Sequence, residues 1–219
     1  MGSVTIAATY GAGGSVVAPA VAEKLGLPLI DRAIPVPLAT KIAEHLRGAL
    51  AHDERRPSNM VARVLSRAID LSGLHVNVPM PYEGLGADHT VAATEEALRQ
   101  SADHGGAVVL GRAGVFVLAG RADTLHVRLD GPPSARLLQA VRHEGITQEL
   151  AATQQRDADQ ARAAYIRHFH PRQRWEDPAN YHLMIDSTAV SLDTCVELIV
   201  SAARDLFARV AELKPTATA

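Results

Sequence analysis

The sequence predicts an α/β domain whose five-stranded parallel sheet carries helices on both faces, and three observations predict it. Five short apolar runs recur along the chain, at residues 4–8, 27–30, 107–110, 124–129 and 181–185. The segments between them carry helical apolar spacing, and strands that alternate with helices imply parallel pairing buried on both sides. Each run also ends in glycine, charge or hydroxyl: Gly11 to Ser15, Asp31-Arg32, Gly111-Arg112, Asp130 and Asp186-Ser187. Ligands of such sheets bind beyond the carboxyl ends of the strands, so these five ends define one candidate crevice.

The first run leads into Thr9-Tyr10-Gly11-Ala12-Gly13-Gly14-Ser15 and then a helical pattern closed by Gly26. A glycine-rich loop opening a helix aims backbone N–H groups and the positive helix end at an anion, and marks Gly11, Ala12, Gly13, Gly14 and Ser15 as phosphate-binding. Against the phosphate-loop pattern GxxxxGK[ST], Ala8 takes the place of the first glycine and Gly14 that of the lysine. Gly13 fits, and Ser15 keeps the hydroxyl that ligates magnesium in such loops. An ordinary strand-turn-helix corner fits the same residues, and both readings stay open here. A dinucleotide fingerprint fits less well, because Val16 stands where its third small residue belongs.

The second run ends at Asp31-Arg32. Residues 35–46 and 58–71 are helical in period, the latter with Ser58 as N-cap and Val61, Val64, Leu65, Ala68 and Ile69 on one face. Asp53-Glu54-Arg55-Arg56 reads as solvated connection, and residues 73–89, with Pro79, Pro81, Gly84 and Gly86, as a long irregular loop suited to a substrate flap. A helix at about 90–104 precedes the third strand; helices at 133–143 and 147–170 follow the fourth. Trp175 reads as a packing anchor before the fifth strand, and Asp186-Ser187 as its end. The last helix spans about 192–213 with Ser191 as N-cap, and residues 215–219 form a frayed tail.

At 219 residues and 47% apolar content, the chain suits one domain over 1–214. The formal net charge of -2 gives no basic field for nucleic acid. The lone Cys195, among Val196, Leu198 and Ile199, excludes an internal disulfide and reads as core. With no membrane-length apolar run and no signal-peptide pattern, the expected compartment is the cytoplasm and no membrane partner is expected. Ten histidines are present, but neither His168 and His170 nor His143-Glu144 forms a metal-ligand pattern. Ile42, Leu46, Leu65 and Ile69 offer apolar surface beyond one sheet face, which suggests a homodimer.

At Gly111-Arg112 the chain resembles the cytidylate kinase-like proteins among the P-loop nucleoside monophosphate kinases. The likeness is carried by TIAATYGAGG, LGLPLIDR, VVLGRAG, TLHVRLDGP, the helix with Arg156-Asp157-Ala158-Asp159-Gln160-Ala161-Arg162, and Trp175-Glu176-Asp177-Pro178-Ala179-Asn180-Tyr181. It covers nearly the whole length and implies strand order 2-3-1-4-5, an acceptor-binding segment at about 35–89 and a lid at about 145–176.

The same resemblance implies the site. Gly111-Arg112 matches the first two members of a Gly-Arg-Asp motif that binds the monophosphate, with Ala113 replacing the aspartate. Asp31 matches an aspartate beside the acceptor nucleotide. Arg156, Asp157 and Arg162 match lid residues that close over phosphates; an exposed helix with Asp159 and Arg162 paired at i,i+3 is the alternative reading. The implied activity is transfer of the ATP γ-phosphate to CMP or dCMP with magnesium, with Arg112, Arg156 and Arg162 catalytic and Asp31, Arg112 and Asp157 on the acceptor. Phosphoryl transfer asks mainly for positioning and cations, which arginine forks supply. With no lysine at position 14, Arg156 or Arg162 is expected to swing in from an exposed lid, and Gly14→Lys to strengthen ATP binding if the loop keeps the phosphate-loop geometry. Two other classes stay in view: a nucleotide-binding sensor or scaffold without turnover, and a dinucleotide-dependent oxidoreductase.

Overall fold

A computed structural model describes residues 2–31, 87–111 and 113–213 of the chain. The expected helices at 35–46 and 58–71, most of the 73–89 loop, the tail and Arg112 therefore lie outside the described residues. In chain order these hold β1 (Ser3–Ala8), α1 (Gly14–Leu25), β2 (Leu29–Ile30), α2 (Ala87–Asp103), β3 (Val108–Leu110), α3 (Gly114–Val117), β4 (Thr124–Asp130), α4 (Pro133–Glu144), α5 (Gln148–Phe169), β5 (Leu183–Asp186) and α6 (Leu192–Leu213).

All five strands are parallel and lie in the order β2-β3-β1-β4-β5, as the resemblance implies. β1 is central, with Val4 opposite Val108 on one side and Leu125 on the other. Its alternation divides the molecule. Val4, Ile6 and Ala8 join Leu125, Val127 and Leu129 under α1 and α6, which contribute Val17, Val21, Ile199 and Val200. The opposite face of β1 carries Ser3, Thr5 and Ala7, and the matching face of β4 carries Thr124, His126 and Arg128, covered by α3, α5 and the segment around Trp175 and Tyr181.

Local chemistry sets the helix ends. Gly26 and Gly145 close α1 and α4 at φ 65, where a side chain would be strained. Thr147 caps α5 by accepting from the Leu150 N–H, and the Ser191 hydroxyl accepts from the Thr194 N–H at the start of α6, as its position predicts. Cys195 is buried in the apolar core as expected. Three expectations are corrected. The helix expected from about residue 90 begins at Ala87, so residues 87–89 are helix and not loop. β5 begins at Leu183 rather than 181, since Asp177 and Pro178 set a 3-10 turn at Pro178–Asn180 that uses up the approach. The short helix α3, four residues between Ala113 and Leu118, carries no periodic signal and was not expected.

Candidate functional site

Parallel pairing brings the carboxyl ends of the strands to one edge, and the loop between β1 and α1 occupies its centre. Gly11 and Gly13 have φ 77 and 74, and a Cβ at Gly11 would lie 2.2 Å from the Arg136 carbonyl oxygen. Only glycine fits there. Gly13 is also the N-cap of α1, with no side-chain cap and no acid in the first turn.

The loop's carbonyls and N–H groups point to different partners. Every carbonyl from Ala8 to Gly13 is engaged. Ala8 O accepts from Arg162 Nη2 at 2.9 Å, Tyr10 O from Arg136 Nη1 at 2.8 Å, Gly11 O from Gln139 Nε2 at 2.9 Å and Ala12 O from the Ser187 hydroxyl at 2.8 Å. Thr9 O and Gly13 O accept from the Ala12 and Val16 N–H groups. Among the described residues, the N–H groups of Gly11, Gly13, Gly14 and Ser15 have no protein acceptor. A loop tied outward by its oxygens and left with free N–H groups at a helix start has the arrangement an anion cradle requires, which an ordinary corner does not need. Ser15 is exposed, so its hydroxyl is free to meet a ligand.

Position 14 explains the missing lysine. Gly14 is buried, and a Cβ there would lie 2.6 Å from the Ala8 Cβ and 3.2 Å from Leu110 Cδ1. The two departures from the phosphate-loop pattern are thus one steric fact: the Ala8 methyl takes the space a residue-14 side chain needs. Gly14→Lys therefore meets a steric obstacle that the sequence pattern does not show.

Behind the loop lies a charged wall of Arg128, Arg136 and Arg162 against Asp130 and Asp159. Arg128, buried, pairs with Asp130, donates to Trp175 O at 2.9 Å and stacks 4.1 Å above the Trp175 ring. Arg136, also buried, reaches Gly131 O at 3.0 Å, with Asp159 at 3.4 Å and Asp130 at 3.6 Å. Burial pushes the Asp130 carboxyl up, but Arg128, the Gly131 N–H and the Thr9 hydroxyl at 2.9 Å outweigh it and hold the group below the usual carboxylate range. Burial raises the Tyr181 phenol to about 12, and its hydroxyl donates to Trp175 O at 2.7 Å. Trp175 is the packing anchor its position predicts.

Asp31 directly follows β2 and is half-buried. Gly111, at φ 72, and Ala113, at φ 51, flank Arg112, which lies outside the described residues. Ala113 holds a left-handed conformation that aspartate or asparagine tolerates better than alanine, at the position where the resembling motif has aspartate. Arg156 and Asp157 lie on α5; Arg156 is exposed and bonds Thr153 Oγ1 at 3.3 Å.

Two readings of the lid need correction. α5 is not simply exposed: Ala151, Gln154 and Ile166 are buried along it. Arg162 is not poised to swing, since it already holds Ala8 O, pairs with Asp159 Oδ1 at 2.9 Å and lies 4.7 Å from the Trp175 ring centre. Ser187, read by preference as the end of a strand, is fully buried, and its hydroxyl donates to Ala12 O. Sequence reasoning missed Arg136, Gln139 and Ser187. Arg136 and Gln139 look like ordinary polar positions of an amphipathic helix, and only the chain's return to the β1 loop reveals their partners.

Three solved structures share this architecture. An uncharacterized protein from Eubacterium ventriosum is 16% identical, with TM-score 0.61, over 93% of this chain and 99% of its own. A gluconokinase from Sinorhizobium meliloti is 18% identical, with TM-score 0.52, over 97% of each chain. A sugar kinase from Janibacter is 15% identical, with TM-score 0.50, over 94% of this chain and 95% of its own. At such identities the likeness concerns the fold, a single-domain P-loop kinase type. No curated protein matches the sequence. The model of the cytidylate kinase-like family matches residues 3–189, and by that match, with the strand order in agreement, this chain belongs to the cytidylate kinase-like family.

Proposed function

We propose that the chain is a magnesium-dependent kinase that transfers the ATP γ-phosphate to a nucleoside monophosphate, CMP or dCMP, in the cytoplasm. The observation that supports it most is the β1-α1 loop, with its carbonyls tied outward and four N–H groups left for an anion. In this reading Gly11, Ala12, Gly13, Gly14 and Ser15 form the cradle for the donor phosphates. The exposed Ser15 hydroxyl fits a magnesium ligand at the first turn of α1. Magnesium, when bound, supplies charge neutralisation at the transferring group.

The protein's own task is positioning. In this reading Asp31, which directly follows β2, and Arg112 orient the acceptor, with Asp157 of α5 contributing to its binding. Arg156, exposed and lightly held, is the lid arginine able to reach the phosphates, whereas Arg162 fixes the start of the loop. Each charge-assisted bond an arginine gains to a phosphate contributes about 1.5–3 kcal/mol, enough to offset a missing lysine in part.

A coupled ADP-release assay across CMP, dCMP, UMP and AMP tests the reading. Turnover is expected with CMP or dCMP, and none with any of the four would sink it. A second reading, nucleotide binding without turnover, is favoured by the Ala8 methyl that closes position 14 to a cation. Calorimetry showing ATP or CMP binding in an enzyme that stays silent in the assay would select it, and NAD binding alone would select a dinucleotide-dependent oxidoreductase.

A further inference from the structure

The loop has no room for a cation on its own backbone at position 14, yet the wall behind it holds three guanidiniums against two carboxylates. What matters is which of these charges reaches the cradle. A peptide unit joins one carbonyl to the next residue's N–H, and a cation bonded to the oxygen makes that N–H a stronger donor, since linked hydrogen bonds polarise one another. Arg162 bonds Ala8 O, whose peptide carries the Thr9 N–H, and that group is already given to Leu129 O at 3.2 Å. Gln139 bonds Gly11 O, whose peptide carries the Ala12 N–H, already given to Thr9 O at 3.1 Å. Arg128 bonds Trp175 and Asp130 and does not touch the loop backbone. Arg136 alone among these cations sits on a peptide, Tyr10–Gly11, whose N–H lies among the four left for a ligand.

Each carboxylate beside Arg136 is held more closely by another arginine, Asp130 by Arg128 and Asp159 by Arg162. The carboxylate contacts of Arg136 are the long ones, 3.4 Å to Asp159 and 3.6 Å to Asp130, while its bonds to Tyr10 O and Gly131 O are 2.8 and 3.0 Å. It is 5% exposed, so water screens it little. We propose that Arg136 is a positioning residue for phosphate recognition, standing in for the loop lysine by delivering positive potential through the Tyr10–Gly11 peptide instead of touching the anion. The inference rests on the cradle reading above.

The test uses the full chain and two probes, MgATP and inorganic pyrophosphate, titrated by calorimetry at several salt concentrations. Circular dichroism and thermal melting establish that each variant is folded. Arg136→Gln keeps a donor but removes the charge. It is expected to weaken pyrophosphate binding at least tenfold and to flatten its salt dependence, neither of which a purely structural brace predicts for folded protein. Arg136→Lys restores the charge and is expected to bind within about threefold of the native chain. Folded Arg136→Gln with native affinity overturns the inference, and so does Arg136→Lys binding as weakly as Arg136→Gln. If Arg136→Gln does not fold, Arg136→Lys decides by itself: affinity within threefold supports the inference, and a tenfold loss overturns it. Failure of the native chain to bind either probe overturns the cradle reading, and this inference with it, whereas native binding with an indifferent Arg136→Gln overturns this inference alone.

Discussion

The two faces of the sheet are made of different physics. Under α1 and α6, β1 and β4 present Val4, Ile6, Ala8, Leu125, Val127 and Leu129, held by burial of apolar surface. On the other face the same two strands present Ser3, Thr5, Thr124, His126 and Arg128, all buried; the side chains of all but Thr124, whose hydroxyl has no partner among the described residues, are held by directed bonds. His126 Nδ1 lies 2.7 Å from Thr5 Oγ1, the His126 backbone N–H donates to His182 Nδ1 at 2.9 Å, and the two imidazoles stack at 5.2 Å. Burial then lets a fold tolerate exchange of shape, whereas directed bonds fix atoms. The face that fixes atoms continues through Asp130 and Arg136 into the brace of the candidate cradle.

The sharpest contrast comes from deleting one side chain of the apolar face. Leu129→Ala is expected to cost about 3 kcal/mol, from lost transfer energy and the cavity left behind, while pyrophosphate affinity per folded molecule stays the same. Chemical denaturation and calorimetry together check it; a large loss of affinity in folded protein would mean that the two faces do not divide the labour as described.

Next comes the corner where the faces meet. Gly14→Lys forces a Cβ to 2.6 Å from Ala8 and is expected to cost about 2 kcal/mol by overpacking. Ala8→Gly combined with Gly14→Lys should recover most of that loss, and tighten ATP binding where the single variant does not. Equal stability of the single and double variants would show that the methyl is not the obstacle.

The polar face should make stability depend on pH. Burial, with His182 alongside, lowers the His126 imidazole from 6.5 to about 4, so the fold keeps it neutral while the unfolded chain takes up a proton. Its contribution is present in full above pH 6.5 and is lost as pH falls toward 4, by about 1–2 kcal/mol after allowance for partial solvation. Denaturation midpoints between pH 7.5 and 4.5 should fall, and His126→Leu should flatten the slope from an already lower starting point; an unchanged slope would assign the effect elsewhere. Smallest of all, Arg156→Ala should alter stability by less than about 0.5 kcal/mol, since its side chain is exposed, yet slow turnover markedly. Arg162→Ala should cost stability as well, because Ala8 O and Asp159 lose their partner.

Much of the fold is legible in the chain. Apolar runs of strand length alternating with helical periods dictate a parallel sheet, because each strand is buried on both sides and needs a crossover to its neighbour. Glycine, serine and threonine mark the ends of α1, α4, α5 and α6 by local backbone chemistry that neighbours in sequence suffice to set. The loop at 8–15 declares itself in the same way, since positive φ and close approach demand glycine at positions 11 and 13.

What tertiary structure alone decided is which partners the loop has. Arg136 lies 126 positions from Tyr10, Arg162 lies 154 from Ala8, and Ser187 lies 175 from Ala12. No local pattern encodes such pairs, because an arginine on a helix reads the same whether it faces water or a carbonyl. Whether Gly14 left a vacancy or a filled space likewise depended on where the Ala8 methyl came to lie. Residue type and spacing determined by themselves that a glycine-rich loop opens a helix after a strand of a parallel sheet. Only the packed chain decided how that loop is held and where its charge comes from, because hydrogen bonds and steric overlap are settled by distances in space.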